Sequence, residues 1–381
     1  MLQIKPLKPF WYAVALLVAS TVGIGFYGIP YTFAQAGTGV GVIFLVVIAG
    51  LMLINHFLYG EIILRTHERH QFVGYVRTYL GPWARRVNLL NFWISVYGAV
   101  IGILIVNGAF LSQVLQFFGY RISPIVLSLI VLGILLVLVY AGVKTVSRVD
   151  LGVMMLAIAL VATIAGFGIP HLARENFLFS SHLSWFLPFG VILFALNGSQ
   201  GVPLVREMLV GKEHLLRRAL IFGTAVPATL YLIFSLVVVG VTGPDTSQQA
   251  ILGLAGRVGD SAIFVGSLVG FLTSSTIFLS VITAFRTSLR EDFKLRRKAD
   301  FLLPLIPPFA LFLLGVRNFI EILSLVGGIA VSIDMILLLL IYAKAKDHGN
   351  RIPEYSINIP KVVLYGIMIL FALGAVYTLV T

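Results

Sequence analysis

Three glycines and a proline fall within eight residues of an apolar run near the start of the chain, Ser20-Thr21-Val22-Gly23-Ile24-Gly25-Phe26-Tyr27-Gly28-Ile29-Pro30. Relative to Ala, a helix interior loses about 1 kcal/mol for each Gly and about 3 for Pro, so this stretch predicts an interruption. In hydrocarbon, unpaired backbone groups persist only where protein buries them or a cavity meets them. An interrupted spanning helix therefore offers main-chain donors and acceptors to a ligand. The half-helix that starts near Phe26 presents free N–H groups and the positive end of its dipole, which suit a carboxylate. The unwound carbonyls before the break suit an ammonium group or a small cation. Anion and cation acceptors side by side describe a site for a zwitterion, and an α-amino acid is the simplest candidate.

The same pattern recurs in Leu193-Phe194-Ala195-Leu196-Asn197-Gly198-Ser199-Gln200-Gly201-Val202-Pro203. Eleven apolar stretches are long enough to cross a bilayer, at 10–36, 39–65, 88–118, 124–143, 149–169, 184–209, 218–241, 260–288, 300–316, 319–342 and 361–380. The two breaks sit in spans one and six, which must cross in opposite directions. Interrupted helices at corresponding positions of two halves are the sequence mark of an inverted repeat in transporters. The expected fold class is an all-α integral membrane protein with a 5+5 inverted repeat. One domain covers 1–381, with a first repeat at 1–169, an inverted second repeat at 184–342 and an extra helix at 361–380.

Composition agrees with a membrane chain. Of the 381 residues 59% are hydrophobic and 11% charged, and mean hydropathy is +1.02; soluble domains average about 25% charged. The net charge of +12 is topological and does not point to nucleic acid. With the N-terminus in the cytoplasm, all Lys and Arg except Arg121, Arg174, Arg257 and Arg317 fall in internal segments, as the positive-inside rule requires. An odd number of spans then places the C-terminus outside the cytoplasmic (inner) membrane. Basic edges also suit contact with anionic lipid. The chain has no cysteine, which removes disulfides and thiolate metal sites. The first apolar run lacks a cleavage pattern and reads as a retained span. The short tails point to a prokaryote.

The residues of the first break carry a likeness. Gly23-Ile24-Gly25-Phe26-Tyr27-Gly28-Ile29-Pro30-Tyr31-Thr32-Phe33, followed by Ala36-Gly37, resembles the first-span pattern of the amino acid/polyamine/organocation (APC) superfamily. The nearest branches are the amino acid/auxin permeases and their bacterial aromatic amino acid permease relatives. Phe194-Ala195-Leu196-Asn197-Gly198-Ser199-Gln200, with Pro203 and Arg206-Glu207-Met208, is similar to the sixth-span motif, with Ser199 where His is frequent. With the span count, the resemblance covers the whole chain. It implies the leucine-transporter-like fold and secondary transport by alternating access. It also implies substrate contacts at Ser20, Thr21, Gly23, Ile24 and Gly25 in span one, at Phe194, Ala195, Leu196 and Asn197 in span six, and at Asn107 in mid-span three.

Two couplings stay open. The hydroxyls of Gly270-Phe271-Leu272-Thr273-Ser274-Ser275-Thr276 suit a hard cation. The resemblance matches a sodium site to Ala19, Val22, Gly270, Thr273 and Ser274, although membrane Ser and Thr often bond only their own helix. For protons, the lysine that some relatives carry in span five is absent from 151–169. Intramembrane ionisable residues are functional candidates: Glu61 with Arg65 four residues on, Asp334 in span ten, and His56 as a packing residue or a proton carrier. Glu61 and Arg65 read equally as a gate pair, and Asp334 as a gate or a buried partner. The 242–261 segment, with an amphipathic stretch at 248–257, is an outer lid or a plain loop. Glu291, Asp292, Lys294, Arg296, Arg297 and Lys298 form a solvated inner loop, and His67, Glu68 and His70 a surface cluster. No phosphate-binding loop or enzyme signature is present. The expectation is therefore a symporter of α-amino acids that is not an enzyme and has no cofactor beyond possible sodium. A polyamine or amine carrier, or an amino-acid-binding sensor of the germinant-receptor kind, are the alternatives. Oligomeric state is not legible.

Overall fold

The computed structural model describes residues 9–141, 147–178, 184–291 and 297–380. The positive residues expected at 1–8, 142–146 and 292–296, including Lys294 and Arg296, lie outside the described residues, as does Asp292. Everything described is helix, turn or loop, with no strand among the described residues. In chain order the α-helices are α1 Pro9–Thr21, α2 Ile29–Ala36, α3 Thr38–Arg65, α4 Phe72–Leu80, α5 Pro82–Phe117, α6 Pro124–Tyr140, α7 Ser147–Gly168 and α8 Leu187–Ala195. They continue as α9 Val202–Met208, α10 Leu216–Thr242, α11 Asp260–Glu291, α12 Arg297–Leu302, α13 Ile306–Leu313, α14 Phe319–Leu325, α15 Ser332–His348 and α16 Lys361–Val380.

Among the described residues, eight helical stretches are long and apolar enough to cross a membrane, and the bent pair Pro9–Thr21 plus Ile24–Ala36 makes a ninth. Hydropathy predicts eleven crossings. The two remaining apolar helices, Pro124–Tyr140 and Asp300–Leu313, are shorter. The 17 residues of α6 rise ~26 Å, just under a hydrocarbon core of ~30 Å. The other, Asp300–Leu313, is cut at residues 303–305 around Pro304, where no helix is assigned. The 248–257 stretch is not a continuous helix: only Ile251–Leu254 forms a short 3-10 turn.

Two long helices organise the core. α5, 36 residues long, packs on α4, α6, α11, α13 and α14. α10, with an interior Pro227, packs on α1, α2, α3 and α7. Between them lies a buried aromatic cluster of Phe26, Tyr27, Phe110, Tyr231 and Phe234. The periphery is apolar and open. α16 buries only Leu364, Phe371 and Gly374, as a helix flanked by lipid would.

A third irregularity interrupts the tenth expected span. Val326–Val331 is a π-helical turn between α14 and α15, the kind of insertion that recurs at functional sites. It coincides with close packing. A Cβ on Gly327 would lie 1.8 Å from Gly190 O, and one on Gly190 would lie 2.4 Å from Ser324 O. Backbone meets backbone there, so α8 and the π turn are locked together.

Candidate functional site at two touching helix breaks

The first break forms where the sequence places it. α1 ends at Thr21, Gly23 is extended at φ −124° and ψ −159°, and a 3-10 turn over Ile24–Gly28 leads into α2. The two halves meet at 53°. The second break leaves Leu196 and Asn197 outside the helix, then a 3-10 turn over Ser199–Gly201 leads into α9; the whole run still traces one crossing, Leu187–Met208. Pro30 and Pro203 sit in the first turns of α2 and α9, where a missing N–H costs nothing. The new helix start at the first break carries no side-chain cap, so backbone N–H groups there lack the usual side-chain acceptor; at the second break the Ser199 N–H reaches Asn197 Oδ1 at 3.4 Å.

The breaks touch. A Cβ on Gly25 would lie 2.8 Å from Ala195 Cα, one on Gly198 2.1 Å from Thr21 Oγ1, and one on Gly201 2.7 Å from Ser20 Oγ. Gly25 thus lets the two backbones meet, and Gly198 and Gly201 leave room for the hydroxyls of Thr21 and Ser20. Tyr231 of α10 ties them: its hydroxyl lies 3.2 Å from Thr21 O and 3.2 Å from Ala195 O. One O–H serves two carbonyls that the breaks leave over. Accessible surface reaches this place at Ala19, Ser20, Gly23, Phe194, Asn197 and Gln200, while Thr21, Val22, Ile24, Gly25, Ala195 and Leu196 are buried. Of the glycines at the two breaks, only Gly23 has room around it, since a Cβ added there would meet nothing nearer than Thr21 O at 4.0 Å.

The side chains of the candidate residues are engaged locally. Ser20 and Thr21 donate to Leu16 O and Leu17 O, each at 2.8 Å. Asn197 Oδ1 accepts from the Ser199 N–H at 3.4 Å, and Ser199 Oγ accepts from Asn55 at 3.0 Å. Ile24 packs over Gly102 of α5. Thr273 donates to Val269 O and Ser274 to Gly270 O, each at 2.8 Å. Ser274 also meets Asn107 Oδ1 in a short hydrogen bond, and Phe110 covers Gly270. α1 packs chiefly on α7, α9 and α10, whereas α11 packs chiefly on α5, α6 and α7. α7 is thus a neighbour of both α1, which carries Ala19, and α11, which carries Gly270, Thr273 and Ser274.

The ionisable candidates separate into two settings. Asp334, in the first turn of α15, accepts from Asn88 Nδ2 at 2.9 Å and Asn91 Nδ2 at 2.8 Å, both on α5. Asn91 Nδ2 also donates to Ala330 O of the π turn. Glu61 is fully buried at the C-terminal end of α3 and accepts from Arg65 Nε at 2.8 Å, Ser356 Oγ at 2.9 Å and Ile357 N at 2.7 Å. The segment after α15 is stitched over that helix end. Asn350 N and Arg351 N donate to Arg65 O, Arg351 Nη1 to Leu64 O, and Tyr355 Oη to Phe57 O. Burial pushes the Tyr355 hydroxyl well above the usual phenol range, so it stays a donor. His56 Nδ1 lies 2.9 Å from Thr224 Oγ1, which itself donates to Leu220 O; the ring bridges α3 and α10. His70 faces the exposed Glu68 at 3.3 Å.

Sequence reasoning passes over Tyr231, Asn88, Asn91 and the π turn. Gly327-Gly328 inside span ten is a readable signal for the last. A single Tyr or Asn in an apolar run carries none until its partner is known.

Known proteins agree with a transport role. Two proteins of Haemophilus influenzae are similar to this chain. Tyrosine-specific transport system 2 is 25% identical over 354 residues, 84% of each chain. Tyrosine-specific transport system 1 is 23% identical over 391 residues, covering 95% of this chain and 96% of the relative. The tryptophan/tyrosine permease family profile matches residues 7–381. The chain, a many-spanned membrane protein with two interrupted helices in contact, belongs to the tryptophan/tyrosine permease family.

Proposed function

We propose that this protein is a secondary transporter that carries aromatic α-amino acids, tyrosine foremost, across the cytoplasmic membrane by alternating access. The observation that carries the reading is the contact of two helix breaks whose leftover carbonyls converge on one hydroxyl. Uncapped N–H groups at Gly23 and Gly25 suit the substrate carboxylate, and the carbonyls of Thr21, Phe194 and Ala195 suit its ammonium. In this reading Ser20, Ile24, Leu196 and Asn197 shape the backbone around those groups. The tyrosine transport systems named above support the substrate class. The architecture proposed is eleven crossings in a 5+5 inverted repeat within one domain, as in the APC superfamily. Residues 1–169 and 184–342 are the halves, α16 is the addition, and the N-terminus is cytoplasmic.

Protons fit the coupling better than sodium. Thr273 and Ser274 donate to carbonyls of their own helix, which leaves their oxygen lone pairs open to a cation, so the preference for protons rests on Asp334. Asp334 is a carboxyl group held by two amides of α5, beside the π turn that abuts the second broken span. It can take up a proton in one orientation of the site and release it in the other. Glu61 and Arg65, both fixed by the 349–360 segment, act as a structural closure.

The test is uptake of labelled tyrosine into proteoliposomes with inward proton and inward sodium gradients imposed separately. Accumulation under the proton gradient is expected, and Asp334→Asn should abolish accumulation while leaving tyrosine exchange. Accumulation under sodium alone would overturn the coupling. Failure of a correctly inserted preparation to move any aromatic amino acid would overturn the transport reading.

A further inference from the structure

Around the first break, three polar side chains are fully buried and each leaves an atom without a hydrogen-bond partner. They are Tyr27 Oη, one arm of the Asn107 amide, and Ser267 Oγ. They form one neighbourhood. The Tyr27 ring stands edge-on to Phe110 with centroids 4.9 Å apart. Phe110 lies one turn after Asn107 on α5 and covers Gly270 of α11. Ser267, Gly270 and Ser274 lie on one face of α11, at helical spacing. Asn107 joins that face through Ser274 and, at 3.4 Å, Ser275. In a membrane interior such groups have no water to fall back on, and native proteins leave few of them unpaired without reason.

The free arm of Asn107 does not depend on how the amide is turned. Ser274 already donates its proton to Gly270 O, so it can face either end of the amide only through its oxygen or by sharing that proton. Either orientation leaves the other end of the amide without a partner, a donor in one case and an acceptor in the other. A phenolic hydroxyl is donor and acceptor at once and satisfies both. An indole N–H satisfies one, and a phenyl ring satisfies neither. The Tyr27 ring packs against Phe26, Phe110 and Phe234, an aromatic setting that suits a ring with a polar tip.

We propose that Asn107 and Tyr27 are the specificity-determining pair that reads the para-hydroxyl of a tyrosine side chain, so that this transporter prefers tyrosine to phenylalanine. The proposal rests on the reading of the chain as an aromatic amino acid carrier. A site that leaves buried polar atoms unpaired when the hydroxyl is missing discriminates against the shorter ligand far more than lost contact area alone does.

The experiment uses the full chain in proteoliposomes, with exchange of labelled tyrosine and, in parallel, labelled phenylalanine, each competed by both unlabelled amino acids. In the wild type, phenylalanine should require about 10- to 100-fold more ligand than tyrosine for half-inhibition. Asn107→Leu, close in size, should bring that ratio to within about threefold through lost tyrosine affinity, with phenylalanine affinity kept. Tyr27→Phe should lower the ratio by a smaller factor. Phenylalanine exchange reports folded transporter in each variant, and Tyr27→Phe decides the matter if Asn107→Leu does not insert. A wild-type ratio near one, or a ratio unchanged in the folded variants, overturns the assignment while aromatic transport stands. Absence of exchange with every aromatic amino acid overturns the transport reading beneath it.

Discussion

The helix breaks and the closure at the C-terminal end of α3 are both rich in buried polar groups, and they are finished to different degrees. At the closure, the Glu61 carboxylate receives Arg65, Ser356 and Ile357, and nearby carbonyls of α3 are taken by Arg351 and Tyr355. Around the breaks, one Tyr231 proton is shared by two carbonyls, the helix start at the first break lacks a side-chain cap, and Tyr27 and Asn107 keep unpaired atoms. A saturated polar network fixes a structure, whereas an unsaturated one holds free energy that a ligand can release. Partner number thus separates the structural polar cluster from the one suited to binding.

Substituting Gly25 is the severest way to break this contrast. Gly25→Ala places a Cβ 2.8 Å from Ala195 Cα, which forces two backbones apart at a cost of about 1–3 kcal/mol. Aromatic amino acid exchange should fall to background while the protein still purifies as a folded monodisperse species in detergent. Preserved exchange would mean that the breaks need not meet. A milder probe is Tyr231→Phe, which leaves ring packing on Phe26 and removes only the shared donor. Loss of one buried hydrogen bond of about 1–1.5 kcal/mol corresponds to roughly a five- to tenfold drop in exchange efficiency. If thermal stability falls and exchange does not, the carbonyls of Thr21 and Ala195 have no part in binding. The smallest effect on transport is expected at the closure. Glu61→Gln should lower unfolding stability by about 1–3 kcal/mol through the weakened bonds to Arg65, Ser356 and Ile357, with substrate half-saturation unchanged. A shifted half-saturation would move Glu61 from structure to function.

The breaks are legible in the sequence because Gly and Pro act locally: each residue interrupts its own turn, whatever lies across from it. Glu61 and Arg65 are readable for the same reason, being four residues apart on one helix. The tie made by Tyr231 is not, since its partners lie 210 and 36 residues away and no periodicity marks a tyrosine that faces two carbonyls. Asn88 and Asn91 gain their meaning only from Asp334, on the far side of the chain. Helix length also deceives. Hydropathy extends apolar stretches at 124–143 and 300–316 beyond where Ala141 and the turn around Pro304 stop the helices.

The stitching over α3 carries a consequence for biosynthesis. Ser356 and Ile357 follow Glu61 by 295 and 296 residues. At ribosomal speeds of about 5–20 residues per second, the carboxylate waits about 15 to 60 s for those partners. During that interval Arg65, one turn along the same helix, is the partner at hand. The loop before α16 therefore completes an early-made helix end only after 295 further residues are made, and a nascent chain stopped short of Ser356 would carry an unfinished charge into the membrane for quality control to find.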